Sequence, residues 1–572
     1  TATTVNIATG GARLNLAGGS FTATGTTTVN AGGNSALVID GGTATLAGVA
    51  SNNTAGALVR VNGGTVTMAS VNFPRSSDAT ISFASGLVIA GGTTTIGTVG
   101  LGTNNSSGAM SVEGGAVTVT GALTIGNQSS SGRGGALRVI GGTLVSSHAP
   151  TGINITARTN NTASATFTGG TSFVERFTLG GAAVTAGTAN LTVNGGTLYV
   201  GTGGIVRLGT LTTNLSFSSG VVGASAPWST SLNLTLPAAG NVTFKAADAS
   251  DAAHDITLSG VLSGAGGFTK GGAGRLVLSG ANTFTGSAVV AAGTLELTGS
   301  LGTGGTIDVS GGTLTGTGTS AKAISLNAGG AFAPGGPAAG TTFQGSSLTW
   351  NNGGRMAFDL DANRRFVLTG ALERGSAGTY EVALSAAAPL PLYAEYVLGT
   401  YGSTTFANGD LSFTGLTDTF GAFVFSADTL RFVATGSGPT GPFTHWAFVS
   451  GLAADVRGPA DDADNDGVPN LLEFALALDP TRASPADLVP TTVTVDGVVY
   501  PAVGFLRRKE LGGVTVAVQA STSPGFGNAL RVVEMLVEPR DAVTDYVVVR
   551  STTPLSAEPS QFFRVNATYP AN

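Results

Sequence analysis

The sequence predicts an all-β protein: a long right-handed parallel β-helix, then a short helix–loop–helix segment and a small C-terminal β-sandwich. Three observations favour this fold. Glycine supplies 90 of 572 residues, about 16%, against about 7% in average soluble domains. Charged residues make up only 10%, against about 25%. Short alternating apolar runs end repeatedly in Gly-Gly over the first 240 residues. The one stretch with helical periodicity lies between residues 443 and 489.

The Gly-Gly pairs recur at a spacing that is typical of a solenoid. The interval is 22 residues from Gly41 to Gly63 and 28 residues from Gly63 to Gly91, and a repeat in the twenties built from alternating runs indicates stacked coils. Glycine suits tight corners with positive φ, whereas threonine and valine favour strands over helices. We therefore expect coils of about 22–28 residues over 1–340, and the last coils and a cap over 341–435. The pairs start at Gly41, Gly63, Gly91, Gly114, Gly141, Gly169 and Gly195.

Residues 256–299 carry a more specific pattern of alternating glycine, leucine, lysine and asparagine. This stretch resembles the autotransporter-associated β-strand repeat. The resemblance implies a β-helical surface passenger, and it implies no catalytic activity. The matching positions are Phe268, Lys270, Gly272, Gly274, Leu276, Leu278, Gly280, Asn282, Phe284 and Gly286.

The C-terminal quarter of the chain has a different composition. Residues 436–442 (GSGPTGP) predict a linker. In the helical module at 443–489, Trp446, Val449 and Leu452 form one apolar face, and a second helix places Leu471, Leu472, Ala475 and Leu478 on another. Residues 490–572 return to short alternating strands, which predict a β-sandwich of six or seven strands.

The helical module contains an acidic loop with the spacing of a calcium-binding loop. Short carboxylates on alternate residues point inward around a hard cation, a glycine permits the sharp turn, and a glutamate at position 12 binds bidentately. The sequence therefore predicts a Ca²⁺ site. The loop resembles those of dockerin modules and of thrombospondin type 3-like repeats. A dockerin carries two such loops and this chain carries one, so we expect a structural staple rather than cohesin binding. The predicted ligands are Asp462, Asp464, Asp466, the carbonyl of Val468, Asn470 and Glu473.

Composition excludes several other functions. A net charge of −6 provides no basic field for nucleic acid, and no apolar run is long enough for a membrane-spanning helix. The chain starts at Thr1 without a charged or apolar leader, so we expect an exported, cell-surface or extracellular protein whose signal peptide has been removed. The carboxylates of residues 1–240 are too few, and their spacings too different from a coil, to predict a catalytic pair. We therefore expect no enzyme activity. These carboxylates are Asp40, Asp78, Glu113 and Glu175.

The sequence thus favours a non-catalytic structural protein of the cell surface. Residues 1–19 enter strand alternation without a helix or polar cap, which predicts a free β edge and head-to-tail self-association into a filament. One alternative is a monomeric adhesin that binds surface glycans through aromatic residues such as Trp350, Tyr393 and Tyr396. A polysaccharide lyase or hydrolase is the remaining alternative, and it requires a carboxylate pair in the solenoid groove.

Overall fold

The structure is a computed structural model that falls into two compact units. The first comprises residues 1–358, 364–383 and 399–406, and the second comprises 359–363, 384–398 and 407–572. The boundary therefore lies within the region predicted to cap the solenoid. The residues described are 1–8, 11–29, 36–51, 58–73, 86–102, 108–126, 134–158, 161–238, 240–417, 419–437, 441–483 and 488–569.

Almost all regular structure consists of strands, numbered here in chain order. Strands β1 to β22 are Val5–Ile7, Arg13–Leu16, Ser20–Val29, Ala36–Ile39, Thr43–Ala50, Leu58–Val61, Thr65–Phe73, Leu87–Ile89, Thr93–Leu101, Gly108–Val112, Ala116–Val119, Leu123–Ile125, Gly135–Val139, Thr143–Ser146, Ile153–Ile155, Thr162–Phe167, Thr171–Gly180, Thr188–Leu208, Thr212–Ala224, Trp228–Thr230, Leu234–Thr235 and Asn241–Lys245. Strands β23 to β46 are Ile256–Leu258, Leu262–Ser263, Gly267–Gly271, Arg275–Leu278, Ala281–Asn282, Ala288–Val290, Thr294–Leu297, Ser300–Leu301, Thr306–Val309, Thr313–Gly316, Thr319–Ser320, Ala323–Leu326, Ala331–Pro334, Thr342–Gly345, Leu348–Trp350, Arg355–Asp359, Arg365–Leu368, Ala371–Arg374, Tyr380–Ser385, Glu395–Thr400, Ser403–Thr404, Leu411–Thr414, Thr419–Phe425 and Thr429–Ser437.

The first unit is a parallel β-solenoid, which confirms the predicted fold class. A continuous parallel ladder begins with β1 against β3, passes from coil to coil, and ends with β40 against β43. Thr65 pairs with Thr93, 28 residues later, whereas Arg275 pairs with Thr294 only 19 residues later. The coils around residues 275–320 are thus shorter than the predicted 22–28 residues.

The interior of the solenoid is a set of stacked apolar columns. Leu46, Met68 and Ile96 occupy equivalent positions in successive coils and are almost completely buried. The alternate residues are exposed threonines, so each strand buries one face as the sequence alternation predicts. Farther along, the buried rings of Phe244, Phe268 and Phe284 pack edge-on or tilted, with centroids 5.6 and 5.5 Å apart. Burial of these columns is the main stabilisation of the solenoid.

The Gly-Gly pairs form the corners of the coils. The second glycine of each pair has positive φ, +76° at Gly42 and +78° at Gly64. A Cβ atom on Gly64 would lie 2.4 Å from the carbonyl oxygen of Gly42 in the preceding coil. Both the backbone conformation and the stacking distance therefore require glycine at this corner.

The second unit contains two short helices and an antiparallel β-sandwich. Helix α1 spans Gly441–Val449, a 3₁₀ turn spans Ala454–Val456, and helix α2 spans Asn470–Leu476. Within the predicted linker 436–442, Gly436 and Ser437 are the last residues of β46, and α1 begins at Gly441. Residues 438–440 lie outside the described residues. Strands β47 to β53 are Val489–Val495, Val498–Arg508, Thr515–Ser521, Ala529–Leu530, Val532–Pro539, Thr544–Ser551 and Phe562–Thr568.

Two hydrophobic clusters hold the helices and the sandwich together. The four-stranded sheet β47-β48-β52-β51 and the three-stranded sheet β50-β49-β53 share a core that contains Phe505, Val547 and Val565. A second cluster joins α1 to α2. The predicted apolar face of α1 is partly wrong, because Val449 is 55% exposed while Phe443 and Ala447 are buried. Leu452 is buried as expected.

Candidate metal centre

The acidic loop between the 3₁₀ turn and α2 brings three aspartates together. One carboxylate oxygen from each of Asp462, Asp464 and Asp466 lies within 4.8 Å of the other two. The chain turns through positive φ at Asn465 (+62°) and Gly467 (+90°). The amide of Gly467 donates a 2.8 Å hydrogen bond to Asp462 Oδ2. This local geometry follows from the spacing of short acidic side chains and the glycine.

Glu473, on α2, is a predicted ligand that is not part of this set of three converging carboxylates. Its side chain is completely buried, and neither carboxylate oxygen has a hydrogen-bond partner within the described part of the chain. Burial, followed by the charges of Asp464 and the other two loop aspartates, raises the pKa of Glu473 to about 7. A buried carboxylate without a donor or counter-charge is costly, and burial also raises the pKa of Asp464.

Asn470 connects the loop to the preceding 3₁₀ turn. Its amide nitrogen donates to the carbonyls of Val456 (2.8 Å) and Gly458 (3.0 Å). Its Oδ1 atom is buried and has no partner. The amide of Val468 donates to Asp466 Oδ1 at 2.8 Å. The side-chain nitrogen of Asn470 is thus bonded to the carbonyls of Val456 and Gly458, whereas its side-chain oxygen remains available as a metal ligand.

This donor set fits a hard divalent cation. Among the described residues, the unsatisfied buried side-chain atoms of this loop and of α2 are oxygens, on Asp464, Asn470 and Glu473. Calcium takes six to eight oxygen ligands in flexible geometry. The cation would be held by the three aspartates and Glu473, together with the Val468 carbonyl and Asn470 Oδ1. It would supply the positive charge that the buried Glu473 carboxylate lacks.

The aromatic residues predicted to contact glycans are placed differently. Trp350 is fully buried in the solenoid, where its indole N–H donates to the Gly354 carbonyl at 2.9 Å. It packs against Tyr380 and Phe406. Tyr393 lies in the second unit, stacked on Phe448, and Tyr396 is half-buried. The prediction that Trp350 contacts a glycan is therefore wrong, because no face of its ring is accessible.

Two carboxylates of the solenoid occupy one column, contrary to the sequence argument. The residues before the Gly-Gly corners stack in successive coils as Asp40, Asn62, Ala90 and Glu113, each amide bonding to the preceding coil. Asp40 and Glu113 are thus three coils apart, about 14 Å at about 4.8 Å per coil. This is wider than the pair of a glycosidase, which is about 5–9.5 Å. Asp78 lies outside the described residues.

Both solenoid carboxylates also have local partners. Asp40 Oδ1 accepts a 2.7 Å hydrogen bond from the side chain of Asn62. Glu113 is paired with Arg60 at 3.6 Å and with Arg138 at 3.4 Å. These contacts form a polar ladder along the coil corners, in which Glu113 has two cationic partners and Asp40 a neutral one.

Two buried polar side chains fasten consecutive coils around residue 280. The ammonium group of Lys270 donates to the carbonyls of Gly271, Gly272 and Ala292 at 2.8–2.9 Å. Burial lowers the pKa of Lys270 to about 8, so the side chain stays charged at pH 7. Asn282 accepts from the Leu262 amide and donates to the carbonyls of Gly280 and Ser300. The lysine and asparagine of this repeat thus satisfy backbone groups at the corners of three successive coils.

Comparisons with known proteins agree with this description of the solenoid. Residues 268–297 match the family model described as passenger-associated-transport-repeat. No curated protein matches the chain. None of the helices in the described residues has the length and apolar character needed to cross a membrane. The chain therefore carries a passenger-associated-transport repeat within a β-solenoid, the combination typical of autotransporter-associated β-strand repeat passengers.

Proposed function

We propose that this protein is a non-catalytic extracellular passenger that acts as a structural or adhesin-like element of a cell surface. The observation that carries the proposal is the parallel solenoid with its passenger-associated-transport repeat. Stacked backbone hydrogen bonds and a continuous apolar interior give such a solenoid stiffness. That stiffness suits display at a distance from the cell.

Calcium is proposed as the ion that stabilises the C-terminal module. The support is the fully buried Glu473 carboxylate, which has no hydrogen-bond donor among the described residues and whose pKa is raised by burial and by the charges of the three loop aspartates. Calcium binding to the loop would neutralise this charge and fix α2 to the loop. Calorimetric titration of the whole chain with calcium tests this directly, with Glu473→Gln as the variant expected to lose binding.

Head-to-tail self-association is the finer proposal for how the solenoid is used. In the first coil, Leu14 and Leu16 of β2 are only half-buried, whereas the stacked Leu37 and Ile39 of β4 are 1% exposed. An apolar, incompletely covered coil supports docking of another copy against this edge. A contact between two different surfaces propagates into a filament when its rotation does not close into a ring.

Electron microscopy of the purified chain tests this use of the solenoid. We expect filaments in millimolar calcium that shorten or disperse when the ion is chelated. Deletion of residues 1–20 should leave a folded monomer that does not polymerise. Single particles under both conditions would overturn self-association, and binding of such a monomer to a glycan array would favour the adhesin alternative.

A further inference from the structure

Helix α2 lies between three different environments although it contains only seven residues. Glu473 is buried and lies close enough to the acidic loop for the charges of its aspartates to act on it. Phe474 belongs to the cluster shared with α1, and Leu476 belongs to the core of the sandwich. Phe474 contacts Phe443 and Trp446 with ring centroids 5.8 and 5.5 Å apart. An isolated helix of this length is unstable in water, so these contacts determine whether it forms.

Arg508 joins the end of α2 to the sandwich. It is the last residue of β48, and its Nε donates a 2.9 Å hydrogen bond to the carbonyl of Phe474. Its guanidinium group also lies 4.9 Å from the centroid of the Phe474 ring. The positively charged Arg508 side chain therefore interacts with the negative, C-terminal end of α2 and lies over the ring of Phe474.

We propose that α2 couples metal loading of the acidic loop to the stability of the C-terminal sandwich, with Arg508 as the residue that transmits the effect. The inference rests on the proposed calcium loop. Without the ion, the carboxylates of the three aspartates repel the carboxylate of Glu473, and α2 unfolds locally as a single unit. The Phe474 carbonyl then leaves Arg508, and Leu476 leaves the core shared with Phe505. With the ion bound, the acidic loop, α2 and β48 unfold locally only in one cooperative step.

Hydrogen exchange of the full chain, measured with calcium and with a chelator, tests this coupling. At free calcium about 100-fold above Kd, openings that release the ion become about 100-fold rarer. Wild-type amides in β48 and β52 should slow by about that factor, whereas amides of residues 268–297 should not change. In Arg508→Gln, calcium should still slow exchange in the loop, but β48 and β52 should slow by less than about threefold, because the link to the helix is lost.

Arg507→Gln is the matched control, because Arg507 lies on the same strand and pairs with Glu534 at 2.9 Å rather than with α2. This variant should respond to calcium like the wild type. Arg508→Lys keeps the charge and loses the planar group, so it should give an intermediate response even if Arg508→Gln does not fold.

The possible failures are distinguishable. If calorimetry shows calcium binding but hydrogen exchange in wild-type β48 and β52 does not slow, the coupling is overturned and the proposed calcium site stands. Equal responses of Arg508→Gln and Arg507→Gln would reject Arg508 as the transmitting residue. No calcium binding by the wild type would overturn both the proposed loop and the inference drawn from it.

Discussion

Replacing Glu473 with glutamine should stabilise the C-terminal unit when calcium is chelated and should abolish most of the stabilisation that calcium gives the wild type. In the metal-free fold the pKa of Glu473 is about 7, against an ordinary value of 4.5. An acid whose folded pKa is raised favours folding only while it is protonated. Its ionised form at pH 8 therefore destabilises the fold, by at most about 3 kcal/mol for this shift.

Glutamine removes that charge while keeping nearly the same volume. In chelator at pH 8, we expect Glu473→Gln to be more stable than the wild type by up to about 3 kcal/mol. In calcium at about 100-fold above Kd, the wild type gains about 2.7 kcal/mol. The variant should gain little, because it lacks the ligand at the twelfth position of the loop.

Pulse proteolysis in a urea series measures both quantities when the fragments are assigned to residues 441–569 by mass spectrometry. Glu534→Gln is the matched control, because its carboxylate is partly exposed and paired with Arg507. It should change stability by less than about 1 kcal/mol and leave the calcium response unchanged. A variant Glu473→Gln that is less stable than the wild type in chelator at pH 8, or that keeps the full calcium response, would refute this reasoning.

Three further predictions concern pH and the solenoid. In chelator, the wild-type C-terminal unit should lose stability as pH rises from about 4.5 through about 7, and Glu473→Gln should lack this slope in the same proteolysis assay. Gly64→Ala should destabilise its coil by about 3 kcal/mol or more, because the new Cβ atom clashes with the Gly42 carbonyl. Gly497→Ala is the control: it also lies at φ +78° but in open space, and it should cost about 1 kcal/mol. Equal effects of the two variants on hydrogen exchange in their flanking strands would contradict this. Asn282→Ala should cost about 2 kcal/mol, because it leaves the buried amide of Leu262 without its acceptor and removes a donor from the carbonyls of Gly280 and Ser300. Unchanged hydrogen exchange in residues 262–301 would contradict this.

The solenoid was predictable from the sequence because each coil repeats one local rule. A short alternating run buries every second side chain, and a glycine with positive φ, such as Gly64, closes the corner. The spacing of Asp462, Asp464 and Asp466 likewise predicted that their carboxylates converge, because a loop this short brings alternate side chains to one point. The antiparallel C-terminal sheets followed from alternation and turn residues.

Contacts between residues distant in sequence decided the remaining features. The alternation around Trp350 does not reveal that Tyr380 and Phe406 cover its ring, nor does a run of unequal loops reveal that Asp40 and Glu113 stand in one column. The spacing predicted Glu473 as a ligand, but the packing of α2 against α1 and the sandwich buries its carboxylate without a donor. Sequence therefore determined the local conformation and the candidate ligands. Only the tertiary structure decided the burial of Trp350 and of the Glu473 carboxylate, because solvent exclusion at these sites depends on elements that are distant in sequence.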